Sequence, residues 1–245
     1  AEAHVLEMQG RLREGIAWMR DDPDLWSKDS LLAIHNWWHT ALYHLDLGEI
    51  DEVLALYDGP IFGARPPFAL PLGDAAALLW RLMLRGVDVG PRWAVLADLW
   101  AKVEGRSLYA FNDAHAVMAY VGAGRPDKTA ETLAGLEEAA RGSGSNAVFS
   151  RDVALPVARA FAAFGDGDFA GSAALLLPVI PIAHRFGGSH AQRDVLDLTL
   201  IEAAFRANDG PLARAVTAQR KAARPRSPFT DEMFRRAHDI TTAPT

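Results

Sequence analysis

One phrase recurs along the 245-residue chain and limits what it can fold into. It consists of a helix-forming run, a glycine, an apolar residue or proline two positions later, and then a helical run rich in small residues. It stands at Gly10 (EMQGRLREGIA), Gly48 (LDLGEIDEVLA), Gly124 (GAGRPDKTAET) and Gly167 (GDGDFAGSAAL). A weaker copy lies at Gly86 (MLRGVDVGPRWAVLA), and a last one has Asp209 at the turn (RANDGPLARAV). The successive spacings are 38, 38, 38, 43 and 42 residues, and three equal intervals in a row are hard to produce by chance. A period of this size belongs to arrays of helical hairpins, slightly longer than the ~34 residues of a tetratricopeptide unit.

The clearest copy is the stretch 30–58, SLLAIHNWWHTALYHLDLGEIDEVLALYD. Leu31, Ile34, Trp38, Leu42 and Leu45 fall on one helical stripe. Gly48 ends that helix in the manner of a left-handed cap, and Ile50, Val53, Leu54 and Tyr57 form the apolar side of the next. The expected fold is therefore all-α, a tetratricopeptide-like superhelix of about six hairpins. Its first helices are predicted near 1–9, 30–47, 74–85, 108–123, 150–165 and 189–207. Its second helices are predicted near 11–20, 50–58, 91–104, 126–141, 168–183 and 211–223. Pro178 and Pro181 should stop or kink the helix that follows Phe169. A short capping helix is expected from Thr230 to Asp239. No composition shift marks a boundary, so 1–240 is read as a single helical-repeat domain and 241–245 as a disordered tail. The chain opens inside a helix-forming run without an initiator Met, which leads us to expect helical sequence upstream.

Composition narrows the function. A net charge of −6 and a pI near 5.7 argue against nucleic-acid binding, since the most basic stretch, RKAARPR at 220–226, is short and broken by proline. The absence of cysteine excludes disulfides and thiolate metal sites. No apolar run approaches the ~18 residues that would span a bilayer and no signal peptide opens the chain, so a cytoplasmic location without membrane association is expected. No P-loop, dinucleotide fingerprint or serine-nucleophile elbow is present, and no cofactor is assigned.

The polar residues gather on the predicted first helices. His4, His35, His39, His115 and His190 all lie there, and His35, His39 and Asp46 share one edge of the apolar stripe. His39 and His115 each precede their repeat glycine by nine residues. Asn112 and His115 share a face, as do His4 and Glu7, and as do His190, Arg193, Asp194 and Asp197. A curled superhelix would let these groups converge on one polar pocket. The plainer alternative is that each histidine is a hydrogen-bonded core residue and that Trp37 and Trp38 are packing groups. HNWWH has the two-histidine spacing of a zincin helix but lacks its glutamate, and a third ligand would come from Asp46, His115 or His190. Ser189 and Gln192 read as a capping box, while Arg193 suits either an anion or a structural ion pair.

AHVLEMQGR, HNWWHTALYHLDLGEIDEVLALYD, FNDAHAVMAYVGAGR and FGGSHAQRDVLDLTLIEAA resemble the tetratricopeptide repeat protein 38 family, which has bacterial and animal members. The resemblance runs from the first residues to about Asn208 and corresponds to the C-terminal portion of the longer family members. It implies a helical-repeat fold and a shared functional surface of His35, Asn36, His39, Asn112, Asp113, His115, His190, Arg193 and Asp194. Three functions remain open. The first is a groove that binds a small polar or anionic ligand or a peptide segment. The second is an enzyme, including a metal-dependent hydrolase, that uses the His/Asp cluster. The third is an inert scaffold for protein–protein contacts, with a homo-oligomer left open.

Overall fold

The structure, a computed structural model, describes residues 2–103 and 109–240. The predicted tail at 241–245 lies outside the described residues. All regular structure among the described residues is helical. In chain order the helices are α1 (Glu2–Met8), α2 (Leu12–Asp21), α3 (Asp24–Ser27), α4 (Ala33–Asp46) and α5 (Ile50–Leu56). There follow α6 (Ala69–Leu84), α7 (Arg92–Trp100), α8 (Ala110–Gly122), α9 (Pro126–Arg141) and α10 (Ser145–Phe149). The last five are α11 (Leu155–Gly165), α12 (Phe169–Leu176), α13 (His190–Arg206), α14 (Gly210–Ala223) and α15 (Pro228–Asp239). None of them is long and apolar enough to cross a membrane. The chain groups into two compact units, Ala1–Pro66 with Asp209–Thr245 (unit 1) and Pro67–Asn208 (unit 2).

The recurring glycine has one structural job. Gly10, Gly48, Gly86, Gly124 and Gly167 all sit at φ between 64° and 81°, a region that a residue with a Cβ enters only at a cost. Each donates its N–H to a carbonyl three residues back, as Gly48 does to Leu45 O at 3.0 Å. The next N–H reaches the carbonyl five residues back, as Glu49 does to His44 O at 2.9 Å. Together these bonds close the end of each first helix. In the sixth copy Asn208 takes the left-handed position at φ 55°. Asp209 then serves as N-cap of α14, its side chain accepting from Leu212 N at 3.0 Å.

Elements that depend on distant partners depart from the predicted bounds. α6 begins at Ala69 rather than near 74, because Pro71 falls in the first turn, where no backbone N–H is needed. α4 begins at Ala33, so Leu31 lies ahead of the helix and is 92% exposed instead of continuing the stripe of Trp38, Leu42 and Leu45. α3 and α10 were not foreseen. α12 stops at Leu176, short of Pro178, and Pro181 falls in a 3₁₀ segment, Ile180–Phe186, as the prolines predict.

In unit 1, Ala3 and Leu6 of α1, Leu12 and Met19 of α2 and Tyr43 of α4 form one buried cluster. The Tyr43 hydroxyl donates to Ala3 O at 2.6 Å, tying α1 to α4. In unit 2 the fully buried Trp80 of α6 packs on Phe161 and Phe164 of α11, and its Nε1 donates to Thr199 Oγ1 of α13 at 3.0 Å. Close approach is built into α8, where a Cβ on Gly122 would meet the Trp93 ring at 2.3–2.8 Å. Gly122→Ala is expected to destabilise the chain by about 2 kcal/mol despite the better helix propensity of alanine. A urea midpoint unchanged by the substitution would show that Trp93 yields freely.

Candidate metal centre

The spacing of four residues in α4 stacks His35 and His39 one turn apart, and the spacing of three in α1 does the same for His4 and Glu7. The packing of Tyr43 and Ala3 then brings the two pairs together. One ring nitrogen from each of His4, His35 and His39 lies within 4.8 Å of the other two. His39 Nε2 stands 3.2 Å from His35 Nε2, and the His4 ring meets the His39 ring edge-on with centroids 4.2 Å apart. Behind this cluster, His39 Nδ1 lies 3.2 Å from Glu7 Oε2, with both side chains buried. Trp38 walls the other side, stacked on His35 at 5.4 Å and edge-on to His39 at 5.0 Å.

The protonation pattern suits metal binding. An ionised Glu7 can only accept, so His39 carries its proton on Nδ1 and turns the Nε2 lone pair toward the other imidazoles. Burial pushes the His4 pKa below its ordinary value; the neighbouring His39 adds to this, Glu7 opposes it and His35 contributes further. His4 is therefore held in the neutral form that ligates metals. Its Nε2 is buried and has no hydrogen-bond partner. Tetrahedral coordination with N–metal bonds near 2.0–2.1 Å requires nitrogens about 3.3 Å apart, close to the 3.2 Å between His35 and His39. A histidine whose second nitrogen donates to a carboxylate is the usual outer-shell arrangement of a ligand histidine. Three imidazole nitrogens would suit zinc or a neighbouring late divalent ion.

The opposite face of Glu7 opens on a cavity of about 420 Å³, whose lining includes Glu7, Gln9, Asp46, Arg224, Arg226 and Ser227. Glu7 Oε1 lies 3.4 Å from Arg224 Nη1, so this one carboxylate touches both the histidine centre and the cavity wall. Ser227 donates to Asp46 Oδ1 at 2.6 Å and also caps α15 by accepting from Thr230 N at 3.0 Å.

The sequence-predicted residues fall into two groups. Unit 1 holds His35, Asn36 and His39 on α4, with Asn36 half-buried. The side chain that joins His35 and His39 is none of Asp46, His115 and His190, considered as a third ligand, but His4, because the α1–α4 packing delivers it. Spacing alone pointed to the His4–Glu7 pair, yet nothing local shows that it meets a helix thirty residues away.

Unit 2 holds the others. His115 is buried, and its Nδ1 bonds Phe111 O at 2.7 Å. Its ring packs against Phe111 at 4.2 Å and Phe186 at 6.1 Å. Burial drives its pKa down to about 4; the Phe111 carbonyl and Asp74 oppose the shift, and Arg81 adds to it. Nearby, Gln192 Nε2 donates to Asp74 Oδ1 at 3.3 Å, and Arg81 donates to Ala191 O at 2.6 Å. These bonds make a closed polar seam joining α6 to the start of α13. Asp113 is buried, Asn112 and Asp194 are half-buried, and His190 is exposed at the first position of α13. Ser189 and Gln192 form the predicted capping box, and Arg193 Nη1 donates to Gly188 O. No protein-family model matches the chain and no solved structure resembles it at a significant level.

Proposed function

We propose that the chain is a tetratricopeptide-like repeat protein, akin to the tetratricopeptide repeat protein 38 family, that holds a divalent transition metal between His4, His35 and His39. The identical turn at five repeat glycines supports the repeat architecture. The observation that carries the metal is the meeting of three imidazole nitrogens within 4.8 Å, with the Glu7 carboxylate behind His39. Zinc is the ion that this donor set favours. An ion held by these three imidazoles would supply Lewis-acid chemistry, the kind that serves hydrolysis or hydration of a small polar substrate. The residues divide the work. Glu7 orients His39 and raises its donor strength, Trp38 fixes the plane of His35, and burial keeps His4 neutral.

Elemental analysis of the purified chain by inductively coupled plasma mass spectrometry tests this directly. About one equivalent of metal is expected, lost in both His39→Ala and His4→Ala. Cobalt reconstitution should give the intense visible bands of a four-coordinate ion. A chain that neither retains metal nor takes up zinc after dialysis has no such centre, and the three histidines are then packing groups.

A further inference from the structure

The cavity beside the centre is lined by two arginines, Arg224 and Arg226. Arg226 is exposed, and the carboxylate its charge acts on, Glu14, is itself paired with Arg11. The chain at Arg226 runs so close to Gly10 that a Cβ there would lie 2.6 Å from the Arg226 Cβ. The carboxylates in the same wall are already engaged: Asp46 accepts from Ser227, and Glu7 faces His39 and Arg224. A space of about 420 Å³ is the size of a small-ligand site.

We infer that this cavity binds a small oxyanion between Arg226 and Arg224, and that its occupancy tightens the metal centre through Arg224, Glu7 and His39. The anion site stands on the cavity alone, whereas the coupling rests on the metal centre proposed above. An oxyanion drawn to Arg224 competes with Glu7 Oε1, 3.4 Å away, for the guanidinium. The Glu7 charge is then less compensated, and its bond to His39 Nδ1–H strengthens. A histidine with a stronger carboxylate partner is a better donor to a metal. The added negative charge also favours a dication on the other side of His39, where the ion in turn makes the cavity more attractive to anions. The linkage is reciprocal by necessity.

Sulfate and acetate are suitable probes for a phosphate-like and a carboxylate ligand, each compared with chloride at constant ionic strength. Calorimetry on the metal-free chain should show saturable binding of one or both, weakened at least about tenfold in Arg226→Gln. The better of the two probes identifies the ligand's charged group. Competition with a chelator should show zinc bound about fivefold more tightly with the anion present than in chloride. Arg226→Gln should match the wild type in chloride and lose that response, while Glu7→Gln, which releases Arg224, should bind the anion at least as tightly as wild type and lose the coupling. If neither anion binds the metal-free chain, or both bind Arg226→Gln as well as wild type, the anion site is wrong. If anion binding is present and zinc does not bind, the metal centre fails and the anion site stands. If both bind without affecting each other, the relay through Glu7 is wrong.

Discussion

Zinc added to the metal-free chain, at a free concentration about a thousandfold above its dissociation constant, is expected to raise stability by about 4 kcal/mol. The whole of that gain should vanish in His39→Ala. The ion would join α1 to α4, elements that the unfolded chain does not hold together, so its binding free energy becomes folding free energy. It would also give the buried His4 Nε2 a partner, and a buried polar atom without one costs about 1–3 kcal/mol. The substitution removes the Glu7 partner as well, so His39→Ala should be weaker than wild type even without metal; the deciding quantity is the difference between zinc-free and zinc-loaded samples of each protein. Trp38, in contact with both His35 and His39, supplies a local fluorescence signal. Equal unfolding midpoints with and without zinc in the wild-type chain would remove the metal centre.

Acidification should destabilise the chain through a different histidine. Between pH 6.5 and 4, His115 alone is expected to cost the native state about 3 kcal/mol. In the unfolded chain its imidazole takes up a proton near pH 6.5, whereas in the native state burial delays uptake until about pH 4. Within that window the unfolded state binds more protons, so stability falls as pH falls. Above pH 6.5 neither state is protonated and the contribution is flat. Urea unfolding at pH 7 and pH 4.5 should show a clearly smaller drop for His115→Gln than for wild type, whatever the variant's stability at neutral pH. Parallel drops in the two proteins would mean that His115 is protonated in the fold and that water reaches it.

The contrast between His39 and His115 shows what a sequence carries. Both lie nine residues before a repeat glycine, and the register alone makes them equivalent. Yet His39 faces Glu7 and His4 from α1, while His115 is enclosed by Phe111 and Phe186. A repeat fixes where a side chain stands on its helix, and the neighbouring helix decides what it meets. Features closed within a few residues were therefore legible: the left-handed turn at each glycine, the capping box at Ser189, and the end of α12 before Pro178. The exposure of Leu31, the early start of α6 and the recruitment of His4 depend on packing between segments distant in the chain. Spacing placed His35 and His39 on one edge of α4; the imidazole that meets them comes from α1.

The pairing of Glu7 with Arg224 spans 217 residues, and that distance sets an order of events during synthesis. All three imidazoles and the carboxylate behind them leave the ribosome well before the arginine opposite. At about 5–20 residues per second, Glu7 waits on the order of 10–40 s for its cation. During that interval unit 2 can form from one continuous segment, whereas unit 1 remains half-written. A nascent chain that captured zinc between α1 and α4 would carry a preassembled nucleus for α14 and α15, and metal supply would then govern how promptly unit 1 closes.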